Sequence, residues 1–214
     1  MRHANAIYEE KVGDLTIKII PDEFADDPRD WGSLFGTMSF FHRRHDLGTP
    51  EKDAEAWFKE PDDLREFFRM QGSNVIRLPV YMYEHSGITL SCGPFSCPWD
   101  SGQLGYIWIT KDQAKKEFIN RHGNGEKEIV KRFTKKMEKR TLELLQGTIK
   151  TMDQWITGDV YGWVVEDEDG EVLESVWGYW GCDEKDGSKN YILGEARSAA
   201  DHIIYEAKKI AQMH

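Results

Sequence analysis

The chain is 214 residues long, with 38 acidic against 28 basic side chains and a net charge of −10. That balance argues against a broad nucleic-acid footprint, which depends on Lys and Arg neutralising phosphates. Eight Trp, eight Tyr and ten Phe argue against a disordered chain although charged residues make up 31%, because aromatic side chains bury large areas and are depleted in disorder. No apolar run reaches membrane-spanning length. The start, MRHANAIYEEKVGD, has no apolar leader, and the cysteines form an odd set (Cys92, Cys97 and Cys182). Reduced thiols in a cytoplasmic setting are therefore expected.

Residues 1–13 read as a flexible leader. Leu15–Ile20 alternates as a first strand, which Pro21 ends. Asp22–Gly32 is an acidic loop, and Leu34–His45 reads as a second strand turned at Asp46-Leu47-Gly48. Thr49 is placed to cap a helix, with Pro50 at its first position, Glu51 and Asp53 in its first turn, and Ala54, Trp57 and Phe58 on one face. Pro61 stops that helix and opens a shorter one, where Leu64, Phe67 and Phe68 recur at helical spacing. Val75–Tyr83, Ile88–Ser91 and Leu104–Ile109 read as strands, with a loop rich in Gly and Pro over Gly93–Gly102.

Thr110 and Gln113 form a capping-box pair that opens a helix to about Asn120. After the loop Arg121–Glu126, a longer helix is predicted to about Leu145. Ile129, Phe133 and Met137 lie on its apolar side, and Gly147 stands where a C-terminal glycine belongs. Thr148–Ile156 reads as a separate helix, broken by Thr157-Gly158. Asp159–Trp180 has the signature of a β-hairpin about Asp167-Glu168-Asp169-Gly170. Tyr191–Met213 closes as an amphipathic helix, with Ala196, Ala199, Ile203, Ala207 and Ile210 on its buried side. Strands and helices do not alternate regularly. The predicted fold is therefore α+β, a single domain over 1–214 with a mainly antiparallel twisted sheet, packed helices and a long C-terminal helix.

Charge is unevenly distributed. Lys111–Arg140 holds eleven bases against five acids, a balance of +6, and Asp159–Gly187 holds ten acids against one Lys, a balance of −9. Charge runs commonly mark solvated faces. Read as binding surfaces, these two are of opposite sign.

Several residue sets bear chemistry. His85, Asp100 and Cys97 fall around one glycine-rich loop, where a thiol or the hydroxyl of Ser86 or Ser101 is a candidate nucleophile, His85 its base and Asp100 the orienter. No nucleophile elbow or Cys-protease signature accompanies them, and short polar residues in glycine turns also serve the turn itself. Arg43 and Arg44, between His42 and His45 at a strand end, are candidates for holding an anion. The alternative is pairing with the acidic loop at Asp22–Asp30. His85, Cys92, Cys97, His42 and His45 do not fit a paired-Cys zinc pattern, and Asp167–Gly170 does not match an EF-hand loop, so no metal or cofactor is expected. The glycines of Arg121–Glu126 precede a helix but lack Walker spacing. In the hairpin, strict alternation places Trp177 and Tyr179 on one face and Trp180 on the other. Together with Asp159, Glu166, Asp167, Glu168 and Asp169 they are candidate partner contacts.

The segments GTMSFFHRRHDLG, LPVYMYEHSGITL, CPWDSGQLGYIWIT, TGDVYGW and SVWGYWG, spread over residues 36–181, resemble a family of uncharacterised proteins of phages and other mobile elements. The resemblance implies a genomic setting rather than a reaction. It leads us to expect an accessory protein that binds and inhibits a host protein in the host cytoplasm, such as a defence nuclease of the CRISPR or restriction kind. An acidic face would then occupy a basic nucleic-acid groove. The competing expectation is a small hydrolase or transferase working through His85, Asp100 and Cys97.

Overall fold

The computed structural model describes residues 5–32, 34–118, 120–121, 127–128, 132–185 and 187–212. The expected glycine loop at 122–126, Ile129 and Asp186 lie outside the described residues. The fold is α+β, with two four-stranded antiparallel sheets and a long C-terminal helix. Its contacts separate it into two compact units, residues 1–26 with 154–214, and residues 27–153. Among the described residues no helix is long and apolar enough to cross a membrane.

The first unit begins with β1 (Tyr8–Val12) and β2 (Leu15–Pro21), which pair about Gly13. The leader expected over 1–13 is thus a strand from Tyr8 onward. Its alternating half-buried and exposed residues let one face pack while the other meets solvent. In the second unit, β3 (Thr37–Phe40), helix α1 (Pro61–Gln71), β4 (Val75–Glu84), β5 (Ile88–Ser91) and β6 (Ser101–Thr110) follow. The second sheet has the order β3-β6-β4-β5.

The helix expected from Thr49 is absent. The Thr49 N–H donates to the Met38 carbonyl, and its Oγ1 accepts from the Met38 N–H. Thr49 therefore extends the edge of β3 and is not free to cap. Only one turn forms behind Pro50. Phe58 from this irregular stretch joins Phe67 and Phe68 of α1 around the fully buried Trp108. The indole N–H of Trp108 donates to Ser39 Oγ at 2.9 Å, which satisfies a buried polar group across the sheet.

Helix α2 (Lys111–Glu117) starts with the expected capping box between Thr110 and Gln113. Short β7 (Asn120–Arg121) and β8 (Lys127–Glu128) pair with each other. Helix α3 (Lys135–Thr157) then runs unbroken through Gly147. A helix-interior glycine costs about 1 kcal/mol relative to Ala. The buried side chains of Leu145, Thr148, Ile149 and Met152 around it outweigh that cost. Leu145 closes against Gly36, where a Cβ would meet its Cδ2 at 2.5 Å, and Thr148 Oγ1 donates to the Phe35 carbonyl.

The chain returns to the first unit with β9 (Val160–Glu166), β10 (Val172–Trp180) and α4 (Ser188–Ala211). The sheet order is β1-β2-β9-β10, so β10 is an edge. Ile192, Leu193, Ala196 and Ala200 of α4 pack on Leu15, Ile17, Ile19, Trp163 and Val165. The apolar stripe ends earlier than its periodicity predicts: Ala207 and Ile210 are exposed.

Candidate functional site

The acidic hairpin forms as the sequence predicts, but its side chains divide into builders and presenters. Asp167 is a builder. Its Oδ1 accepts the N–H groups of Asp169 and Glu171, and its backbone pairs with Glu171 and Gly170. Asp159 also works internally. It accepts from Gln154 Nε2 at 3.1 Å, and its carbonyl accepts the Gly181 N–H.

Glu166, expected as a partner contact, is buried at 2% exposure. Alternation places it on the face of β9 shared with Val160 and Val164, opposite the one packed by α4. Its Oε2 meets Lys18 Nζ at 2.5 Å. Its Oε1 has no hydrogen-bond partner among the described residues.

The aromatic arrangement is also corrected. Gly178 adopts φ +83°, and the pairing with β9 shifts register between Val176 and Tyr179. Only glycine takes this conformation without strain, and the bulge reverses the alternation. Trp177 therefore lies over Gly162 and shares its face with Trp180, which pairs opposite Val160. Tyr179 turns to the other face. There its hydroxyl accepts from Trp163 Nε1 at 3.0 Å and donates to Glu195 at 2.5 Å. Burial and the neighbouring Glu195 carboxylate push the Tyr179 phenol up to about 12. Tyr179 is accordingly part of the packing against α4.

What the hairpin presents to solvent is Glu168, Asp169, Glu171 and Glu174, together with Val172, Leu173, Val176 and Trp177, which are 40–45% exposed. Exposed apolar and acidic side chains thus run the length of an edge strand. The acid count of the sequence contained Glu171 and Glu174. Nothing in the sequence marked the edge position that exposes both faces of their strand.

The second unit carries a cleft of about 340 Å³. It forms where β3 leaves the sheet, β4 ends and β6 begins, three chain ends that the order β3-β6-β4 brings to one side. It is lined by His42, Arg44, Glu84, Trp99, Asp100 and Gln103, with Gly102 among the backbone. Two residue sets that the sequence separates by about forty positions thereby meet. Arg44 donates to Glu84 Oε2 at 2.6 Å and His45 Nε2 lies 3.1 Å from Glu84 Oε1. Glu84, rather than the loop at Asp22–Asp30, is the partner of this cationic segment. The hydrogen bond from His45, with the charge of Arg44, holds Glu84 below the usual carboxylate range. His42 stacks on His45 at 5.0 Å, nearly parallel. Partial burial, then the charge of His45, lowers the His42 pKa. Arg43 is exposed and has no partner among the described residues.

His85, Asp100 and Cys97 do come together. Asp100 Oδ2 lies 3.4 Å from His85 Nδ1 and 3.6 Å from Cys97 Sγ. The carboxylate therefore stands in the middle. A nucleophile relay places the imidazole between thiol and carboxylate. Ser101 Oγ donates to the Cys97 carbonyl. Ser86, at φ +58°, shapes the β4–β5 turn. Among the described residues, no three His, Cys, Asp or Glu side chains converge to hold a metal ion.

Comparison of the chain with family models, curated proteins and solved structures finds no match.

Proposed function

We propose that this protein is a phage or mobile-element accessory protein that acts by binding. Its acidic edge hairpin docks on a basic surface of a host protein in the host cytoplasm and blocks it. A nucleic-acid enzyme of host defence is the partner class that fits. The observation that carries this reading is the exposed row Val172, Leu173, Val176 and Trp177 on β10, flanked by Glu168, Asp169, Glu171 and Glu174. Solvent-exposed Trp beside apolar neighbours is the usual composition of an interface anchor. Carboxylates around it favour a basic partner and speed its encounter. Defence nucleases present basic grooves to bind phosphates, so an acidic surface competes for the same residues. Sequence resemblance to mobile-element proteins supports the setting.

The register shifts of β10 refine the mode. Bulges blunt an edge strand against indiscriminate strand addition. Contact is therefore through side chains rather than through a continued ladder. The test is binding and inhibition by the wild type against a Glu168→Lys/Asp169→Lys/Glu174→Lys variant and a His85→Ala/Cys97→Ala variant. Binding by the hairpin predicts that the first loses activity and the second keeps it. The opposite pattern would move the function to the cleft.

A further inference from the structure

We infer that the cleft at the end of the second sheet is a binding site for a free nucleoside monophosphate. This rests on residues separate from the hairpin. The Trp99 indole is 90% exposed, on a loop that Tyr83 and Phe95 support by ring contact at 5.6 Å. An exposed indole at a cleft mouth is a stacking platform for a planar base, since every base has a π-face.

Beside it, Asp100 has only Oδ2 engaged among the described residues. Its Oδ1 accepts from a ribose hydroxyl or an exocyclic amine. Across the cleft, Arg44 uses one nitrogen on Glu84, which leaves guanidinium N–H groups for a phosphate, and guanidinium groups suit phosphate geometry. His42 accepts the Arg44 backbone N–H at Nδ1, which fixes its ring and leaves Nε2 for the same anion. Arg43, exposed and without a partner among the described residues, adds a cation one position along. Glu84 does not repel the phosphate strongly, because Arg44 and His45 occupy both its oxygens.

Gly102 completes the case. A Cβ built there meets nothing within 4 Å, so the absence of a side chain relieves no crowding in the protein. It leaves the backbone open to a ligand. A volume of about 340 Å³ lies at the small end of ligand pockets, which suits one nucleotide. The net charge of −10 opposes a polymeric polyanion but not a small ligand held by local cations.

The experiment is calorimetric titration of the full chain with adenosine, guanosine, cytidine and uridine monophosphates. Inorganic phosphate, the bare nucleosides and a short single-stranded oligonucleotide are the other arms. The expected result is saturable binding of at least one monophosphate, at least tenfold tighter than phosphate or its own nucleoside. Trp99→Ala and Arg44→Ala each weaken it by tenfold or more. Gly102→Val, whose Cβ meets nothing within 4 Å, abolishes it while leaving the thermal transition unchanged. The inference is overturned if no monophosphate binds at millimolar concentration or if Gly102→Val binds as well as wild type. It is equally overturned if the oligonucleotide binds more tightly than every monophosphate.

Discussion

The indole of Trp177 lies on the backbone of Gly162, in the space that a Cβ on Gly162 would occupy. Glycine at 162 is therefore the condition for Trp177 to sit where it does on the edge strand. Gly162→Ala must displace the indole or shift the strand, and overpacking of this kind costs about 1–3 kcal/mol. Urea unfolding measures that loss. The same variant should bind the partner more weakly than wild type, because its anchor has moved. Unchanged stability would mean that Trp177 is free to swing away.

Lys18 and Glu166 should be strongly coupled. Removing one partner of a buried pair leaves an uncompensated charge, at a cost of about 3–5 kcal/mol, whereas replacing both by apolar groups is often neutral. Lys18→Met should therefore destabilise markedly, and Lys18→Met/Glu166→Leu should recover most of the loss. The double variant also removes Oε1, which has no hydrogen-bond partner among the described residues. Denaturant titration of the cycle reads the coupling. Additive losses in the double variant would contradict it.

His42 should give stability a pH dependence just below neutrality. Its pKa in the folded protein lies below the ordinary 6.5, chiefly through burial and then through His45. The unfolded chain therefore takes up the proton more readily. Stability rises with pH through this window and falls as pH drops below about 6.5. His42→Asn should flatten that part of the profile, measured as denaturation midpoints between pH 5 and pH 8 on the order of half a unit apart. A variant profile that still follows wild type would place the titrating group elsewhere.

Cys92 should be inert in the folded protein. Burial pushes its thiol up to about 11, and the thiolate is the reactive form. Iodoacetamide at pH 7.5 should label Cys92 on the order of a hundredfold more slowly in buffer than in denaturant, where the thiol returns to its ordinary pKa near 8.5. Equal rates, followed by mass spectrometry, would contradict the burial.

The elements legible in the sequence were those fixed by neighbours along the chain. The capping box at Thr110 and Gln113, the hairpin about Asp167-Gly170 and the α1 spacing of Leu64 and Phe68 depend on contacts within a few residues. The failures have a common cause in long-range partners. Thr49 carries every local mark of a helix cap, yet Met38 takes its hydrogen-bonding groups. Gly147 looks like a helix end, yet buried neighbours carry α3 through it. Glu166 sits in an acidic run, and only its burial and its ion pair with the distant Lys18 show that it is not presented to solvent. At the candidate sites, His85 and Asp100 were readable as neighbours across a loop. The meeting of Asp100 with Arg44 and His42 at one cleft was not, because it follows from the strand order. One glycine, Gly178, decided which aromatic residues face outward.

Binding of a basic host protein by the hairpin is decided by one comparison. Wild type, the Glu168→Lys/Asp169→Lys/Glu174→Lys variant and Trp177→Ala are used to capture proteins from host lysate, and recovered species are identified and quantified by mass spectrometry. The expected result is a nucleic-acid enzyme recovered by wild type, released by salt, and depleted at least tenfold by either variant. Recovery of no nucleic-acid enzyme, or of one that both variants hold equally well, would contradict it.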